Sequence, residues 1–525
     1  MTARQWARDR ARAKASFSPP MPSHRIVLTV AADQPGPGIS RHLFGQFAEH
    51  LGSCVYDGLW VGPDSPIPNV RGFRQEAVAA LRELRMPNLR WPGGCFADAY
   101  HWRNGIGPRD QRPRQRNDTW GQIETNAFGT HEFLDLCAQT GCEPVICGNL
   151  GSGTVQEMRD WVEYLNAPTG TVLADERAAN GHPAPYGVRY WGVGNESWGC
   201  GGLMRAEYYA DEFRRYGTYL GSYEKSALFR IATGPGLDDF HWTEVLMREC
   251  AAPRFNPGIM DGLSLHYYMN GGCPPARTQQ HLLATSFGPE QWRTVMAHGW
   301  YMDELIARHS AIMDRHDPAR RVKLIVDEWG AWYAPDPAPR PSAYFQQQTI
   351  RDALLSALTF DAFIRHAERV HMANAAQVAN VLHASILTFG AATVRTPTWH
   401  AFHLYVPHQD ARRLPVANSA ALLSHDGLPY PRVSATASLA PDQSVTVTLA
   451  HTDPAEPVRI ELQLAGRPAG ARPVGRLLTA PELTDCNTPA APDRVAARPW
   501  DDFRFESGRL TATLPPACLA AVTFR

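Results

Sequence analysis

Between residues 43 and 404 the chain alternates short apolar runs with longer windows in which apolar residues recur at helical spacing. Eight runs read as strands: "LFGQFAEH" (43–50), "NLRWPGG" (88–94), "EPVICGNL" (143–150), "RYWGVGNE" (189–196), "RIATGPG" (230–236), "LSLHYY" (263–268), "KLIVDEW" (323–329) and a last one near "QVANVLHA" (377–384). Runs this short and apolar, bounded by Gly and Pro, suit strands buried on both faces of a parallel sheet. Between them, Ala77, Val78, Leu81 and Leu84 mark one helical face, and Met158, Trp161, Val162 and Leu165 another. Gly141 and Pro168 follow helical windows as stop signals, and "FQQQTIRDALLSALTFDAFIRHAERV" (345–370) reads as a long helix before the final strand. Eight strands in succession with helices between them predict an α/β fold, a closed (β/α)8 TIM barrel.

After about Asp410 the texture changes to short alternating segments such as "SVTVTLAH" (444–451), "VRIELQLAG" (458–466) and "RLTATLPP" (509–516), punctuated by Pro and Gly. That is the pattern of a jelly-roll-like β-sandwich. "HRIVLTVAA" (24–32) has the same character, and a lone strand needs a partner for its backbone groups. The expected organisation is a disordered basic tail over 1–23, a strand recruited to the sandwich within 24–40, the catalytic barrel over 41–408 and the sandwich over 409–525.

Composition narrows the partners. The 525 residues carry 51 basic and 52 acidic side chains, a formal net charge of −1, so no global field draws the chain to nucleic acid or an anionic membrane. The first residues hold Arg4, Arg8, Arg10, Arg12 and Lys14 without the apolar core of a signal peptide, and no apolar stretch is long enough to span a membrane, so a cytoplasmic location is expected. Ten Cys are too dilute for a disulfide scaffold and read as reduced, mostly buried thiols. Neither "HGWYMDELIARH" (298–309) nor the glycines near residue 52 match a metal or phosphate motif.

In such a barrel the chemistry sits at the C-terminal ends of the strands. Glu49, Arg90, Asn149, Asn195, Glu196, His266, Tyr268, Asp327, Glu328, Gln377 and Asn380 all lie at or just past the expected ends. Two carboxylates are embedded in aromatics: Glu196 before Trp198, and Glu328 before Trp329 and Trp332. Indoles offer apolar platforms to sugar rings, and paired carboxylates with aromatic walls point to glycoside hydrolysis. That reaction needs one protonated carboxyl and one ionised carboxylate on opposite sides of the anomeric carbon. Arg90, His266 and Tyr268 could keep Glu328 ionised, while Trp191 or Trp198 could wall Glu196, which favours Glu196 as acid/base and Glu328 as nucleophile. Local sequence leaves the reverse order open. Asp327 alone reads as the partner of a barrel-wall cation, and Trp60, Trp102 and Trp300 as either platform or core.

The runs "FGQFAEHLGSCVYDGLW", "LRWPGGCFADAYHWRNGIGP", "NAFGTHEFLDLCAQTGCEP", "NLGSGTVQEMRDWVEYLN", "YWGVGNESWGCGG", "LSLHYY", "LIVDEWGAWY" and "MANAAQVANVLHASILT" closely resemble glycoside hydrolase family 51, the intracellular-type α-L-arabinofuranosidases. The resemblance spans roughly residues 25 to 410. It implies a retaining enzyme with acid/base Glu196 on the fourth strand and nucleophile Glu328 on the seventh. Glu49 would hold outer hydroxyls of the arabinofuranose, Asn195 its 2-hydroxyl, and Gln377 the sugar from the last strand. Tyr268 and Arg90 would support the nucleophile, with His266 orienting it and Trp329 at the sugar. Cys95 stands where many members have Asn, and reads as a small filler near the sugar. Tyr333 and "FGAATVRTPTWH" (389–400) also depart from the usual pattern. The resemblance further implies exo action on terminal groups of arabinan or arabinoxylan fragments, no metal or organic cofactor, and a homo-oligomer, often a hexamer. A same-fold enzyme of β-xylosides or β-glucans and a non-catalytic sugar-binding protein are the competing readings.

Overall fold

Eight parallel strands close into a barrel: β1 (Gly45–Phe47), β2 (Asn88–Trp91), β3 (Glu143–Gly148), β4 (Tyr190–Val193), β5 (Phe229–Ala232), β6 (Gly262–Met269), β7 (Lys323–Ala331) and β8 (Val370–Ala376). Each pairs with the next in sequence, and β8 returns to β1 through Asn374↔Gly45, Ala375↔Gln46 and Ala376↔Phe47. The computed structural model describes residues 24–223, 227–252, 254, 256–269, 282–334, 342–466 and 472–525, so the basic segment 1–23 lies outside the described residues. No described helix is long and apolar enough to cross a membrane.

Seven strands fall within or against the expected runs, and the eighth is displaced. Residues 377–384 are the loop that leaves the barrel, and the strand is the segment before it, Val370–Ala376. The apolar residues of that loop are buried as deeply as a strand, but its N–H groups bond within the turn and to β1, as in Gln377 N–H to Val381 O at 3.1 Å and Val378 N–H to Phe47 O at 2.7 Å. Hydrophobicity by itself does not separate a buried turn from a buried strand.

The helices form where the periodicity placed them, except that the long one expected over 345–370 is confined to Ile350–Arg365, with Val370 already opening the last strand. Val155–Asn166 buries Met158, Trp161, Val162 and Leu165 and starts at Thr154, whose side chain accepts the Glu157 N–H. Thr130–Thr140 stops at Gly141, which takes the left-handed conformation (φ 78°) that closes many helices. Ile350–Arg365 is buried from Ile350 to Ile364 because it lies between barrel and C-terminal sheets, and its Asp361 accepts hydrogen bonds from Tyr405 and Ser434.

The C-terminal part stacks a five-stranded on a six-stranded sheet over a core that includes Leu28, Val30, Val447, Leu449, Ile460, Leu462 and Val522. His24–Ala31 lies inside the five-stranded sheet, parallel to Val458–Ala465 along its whole length and antiparallel to Val416–Asn418.

One irregularity of the barrel bears on chemistry. Opposite β6, strand β7 spends three steps from Ile325 to Glu328 where β6 spends two, from Ser264 to His266. The extra residue is a bulge, a device that re-aims side chains at functional rims. It lets Asp327 and Glu328, neighbours that would face opposite sides of a regular strand, both reach into the barrel mouth.

Candidate active site

At the C-terminal mouth a cavity of about 270 Å³ is walled by Glu49, Cys95, Glu196, His266, Tyr268, Glu328 and Gln377, with Trp120, Trp198 and Trp332 around them. Its size is near the lower end for small-molecule sites.

Glu328 is nearly sealed from solvent and receives the Tyr268 hydroxyl at 2.8 Å on one oxygen and an Arg90 N–H at 2.9 Å on the other. Arg90 extends from β2, and its remaining groups reach the Asn195 side-chain carbonyl at 2.6 Å and Asp327 at 3.4 Å. Burial opposes the charge on Arg90, but the carboxylates of Asp327 and Glu328 outweigh it and hold the guanidinium firmly protonated. Burial also lifts Glu328 above the ordinary carboxylate range, against the downward pull of His266 and Arg90. Asp327 is buried too, but Arg90 and His266 hold it below its usual value. The Glu328 carboxylate also lies hard against Gly94: a Cβ there would stand 2.6 Å from Glu328 Oε1, which accounts for a glycine at that point of the Pro-Gly-Gly turn.

Glu196 sits in a different setting, just past β4 in the left-handed region (φ 39°), with its side chain 17% exposed. His266 Nδ1 lies 2.9 Å from one of its oxygens, and His266 Nε2 lies 3.1 Å from Asp327. Burial disfavours the imidazolium, yet Glu328, Asp327 and Glu196 together raise its pKa to about 10. At neutral pH His266 therefore donates from both nitrogens. It leans on Glu196 more closely than on Glu328, which stands 3.5 Å away, so the orienting effect expected on the nucleophile falls first on the other carboxylate.

The floor of the cavity is Glu49. Its oxygens accept from Phe96 N–H, Trp120 Nε1–H and Gln377 Nε2–H, each at 3.0 Å, and burial with the nearby Glu328 charge lifts its pKa to about 7.

Three expectations change. Cys95 is not a free thiol but is bonded to Cys200, joining the turn after β2 to the loop after β4. The sulfurs of Cys200 and Cys95 lie 3.4 and 3.7 Å from Glu196 Oε2 and, having no S–H, act as polarizable neighbours rather than donors. The general reading of reduced thiols failed here because a pairing across 105 residues is set by the barrel, while Cys54, Cys137, Cys142, Cys147, Cys250 and Cys518 are indeed free and buried. Trp329 is not at the sugar: strand alternation turns it outward, fully buried against Phe360, Phe363 and Phe402, and Trp332 lines the cavity instead. Trp191 likewise packs on Trp161 behind the barrel wall, leaving Trp198 as the indole near Glu196.

Other strand-end residues build loops rather than the cavity. Asn149 binds Tyr100 O and accepts the Ser152 and Gly153 N–H groups, and Asn380 bridges Ser53 O and Thr388. Trp60 and Trp102 are core, and Trp300 lines a separate crevice between barrel and sandwich, with Arg365 over its ring. Trp120 was missed; its signal was an indole among polar turn residues in "NDTWGQ". Asp98 and Cys200 were missed as well.

Two groups bring three possible ligand atoms within 4.8 Å of one another among the described residues: Glu196 with His266 and Glu328, and Glu196 with Cys95 and Cys200. The first contains a protonated imidazole with no free lone pair, and the second a disulfide in place of thiolates. Their chemistry suits proton and glycosyl transfer better than metal binding.

Comparison with known proteins agrees with this geometry. Models of the α-L-arabinofuranosidase 1 domain and the α-L-arabinofuranosidase C-terminal domain match residues 80–268 and 327–518. An intracellular exo-α-L-arabinofuranosidase of Bacteroides ovatus is 43% identical over 490 residues, 93% of each chain. The GH51 arabinofuranosidase of Xanthomonas axonopodis pv. citri superposes with a TM-score of 0.91 at 46% identity, covering 96% of this chain and 100% of that one. The α-L-arabinofuranosidase of Thermotoga maritima, solved with arabinose, gives 0.82 at 28% identity over 95% and 99%. With an eight-stranded barrel, a carboxylate at the mouth of β4 and another on β7, and relatives matching nearly end to end, the chain belongs to the glycoside hydrolase family 51 α-L-arabinofuranosidases.

Proposed function

We propose that this arabinofuranosidase removes single terminal α-L-arabinofuranosyl groups from arabinan or arabinoxylan oligosaccharides by double displacement, inside the cell, with Glu328 as nucleophile and Glu196 as acid/base. The observation that carries the reading is the pair itself: carboxylate oxygens of Glu196 and Glu328 lie within 4.8 Å of each other, with His266 between them. Direct attack needs carboxyl groups about 5 to 5.5 Å apart, whereas a water-mediated inverting reaction needs about 6.5 Å or more.

Glu328 would attack the anomeric carbon while Glu196 protonates the departing oxygen. Water, deprotonated by Glu196, would then hydrolyse the glycosyl-enzyme. The charge inventory suits this division: His266 and Arg90 supply two cations against Asp327, Glu328 and Glu196, leaving room for one carboxyl proton. Arg90 and Tyr268 would hold the attacking carboxylate in place, and Asn195, oriented by Arg90, would meet the 2-hydroxyl. Glu49 and Gln377 are bonded to each other on the cavity floor and would take the outer hydroxyls. A cavity of about 270 Å³ closed by Trp120, Trp198 and Trp332 supports cleavage of one residue from an end rather than within a chain. The Bacteroides ovatus relative, named an intracellular exo-enzyme, supports both the end-wise action and the location.

The test is nitrophenol release from the α-L-arabinofuranoside against the β-D-xylopyranoside, with a cellulosic chain as third substrate. The arabinofuranoside should be hydrolysed far faster than both. Preference for the xyloside or the chain would replace this reading with the same-fold alternatives, and no turnover of any would leave a sugar-binding protein. The homo-oligomer belongs to the same proposal and is checked by solution mass.

A further inference from the structure

We propose that Asp98 is a positioning residue for the acid/base, its carboxylate fixing the peptide that presents Asn195 and Glu196 to the cavity; this rests on reading Glu196 as acid/base. Asp98 lies in the short 3-10 turn Cys95–Ala99 after β2, is 5% exposed, and is not among the residues that line the cavity. Its Oδ1 accepts the N–H groups of Leu150 at 2.7 Å and Gly151 at 2.8 Å, in the loop after β3. Its Oδ2 accepts the N–H of Asn195 at 2.8 Å, at the exit of β4. The Asp98 carbonyl takes the Ser152 N–H at 3.0 Å and hydroxyl at 2.8 Å. A single residue therefore ties together the mouths of three consecutive strands.

Such a tie has a physical purpose at this point. Glu196 adopts φ 39°, a conformation strained for a non-glycine residue that persists when its surroundings over-determine it. On its C-terminal side the Glu196 carbonyl is held by Gly199 N–H at 2.7 Å and Gly201 N–H at 3.0 Å, and on its N-terminal side the hold is Asp98 on Asn195 N–H. The surrounding chain makes room for the carboxylate: a Cβ on Gly201 would stand 2.6 Å from Asp98 Oδ2 and 1.9 Å from Asn195 O, and one on Gly151 2.8 Å from Asp98 Cβ. Three N–H donors converging on two oxygens also require a carboxylate rather than an amide. The NH2 of an Asn would face either Asn195 N–H or the Leu150 and Gly151 pair, and leave buried donors unmet.

The experiment is Asp98→Asn, assayed on arabinofuranosides with two leaving groups: 2,4-dinitrophenol, which departs without protonation, and an arabino-oligosaccharide, which does not. A misplaced acid should cost about 100-fold or more in kcat/KM on the oligosaccharide and less than about 5-fold on the dinitrophenyl substrate. Equal losses on both, or no loss, would overturn the proposal, since general loosening of the fold penalises the two alike. Glu196→Ala run alongside separates the two failures. If it lacks the split, the acid/base reading falls and the proposal with it; if it shows the split and Asp98→Asn does not, the proposal alone falls. Should Asp98→Asn fail to fold, Gly201→Ala presses on the same junction and must show the same split, with equal losses again overturning the proposal.

Discussion

The two halves of the barrel mouth hold the same functional group in opposite ways. At β7, Glu328 rides on a strand, 6% exposed at its side chain, with a guanidinium on one oxygen and a phenol on the other. At β4, Glu196 leaves the strand in a left-handed turn, 17% exposed, with an imidazolium on one oxygen and a disulfide against the other. The first setting suits an anion that must stay still and attack along one line; the second suits a group that exchanges a proton with solvent and leaving group. The difference teaches that identity of side chain fixes little here, because the surroundings give two glutamates distinct settings, on which the proposed division of labour rests.

Removing each glutamate in turn is the harshest way to break the contrast. Glu328→Ala should lower kcat by roughly 10⁴- to 10⁶-fold on every substrate, and added azide should give the glycosyl azide of inverted configuration. Glu196→Ala should cost roughly 10²- to 10⁴-fold in kcat/KM on oligosaccharides and much less in kcat/KM on the dinitrophenyl glycoside, with azide giving the retained product. Exchanged behaviour would reverse the two roles.

A milder probe is the shared imidazole. The folded His266 value of about 10 stands above its unfolded value of 6.5, so its stabilisation is complete below the unfolded value and is lost as pH rises through about 10. The Tm of the wild type should fall more between pH 7 and pH 10 than that of His266→Gln, followed by calorimetry. Parallel curves would mean a neutral His266 and no cation shared by the two carboxylates.

The smallest effect on turnover is expected from the Cys95–Cys200 bridge, which belongs to the Glu196 side alone. Reduction by a dithiol should cost about 2–4 kcal/mol of stability, seen as a lower Tm, with loss of activity confined to poor leaving groups. Equal loss on the dinitrophenyl glycoside would show that the bridge supports both sides of the mouth.

Much of this was legible along the chain because periodicity and glycine placement are local. "YWGVGNE" announces a buried strand that ends in a carboxylate, and "LIVDEW" another. Glu49, Arg90, Asn195, His266, Tyr268 and Gln377 gather at or beside the cavity, as polar residues at the ends of apolar runs suggested, since a buried polar group needs partners. Trp329 was misplaced because an indole beside a cavity carboxylate looks like a platform until alternation turns it away. The eighth strand was misplaced because a buried turn is as apolar as a strand.

The sequence by itself determined the barrel, the sandwich and the two glutamates, since each is written in spacings of a few residues that backbone geometry converts directly into strand, helix or turn. Tertiary structure alone decided the bulge that brings Asp327 to the side of Glu328, the bond between Cys95 and Cys200, and the grip of Asp98 on the Asn195 peptide. The bulge depends on how β7 pairs with β6, and the other two are meetings of residues that follow different strands, up to 105 positions apart, which closure of the barrel brings within reach.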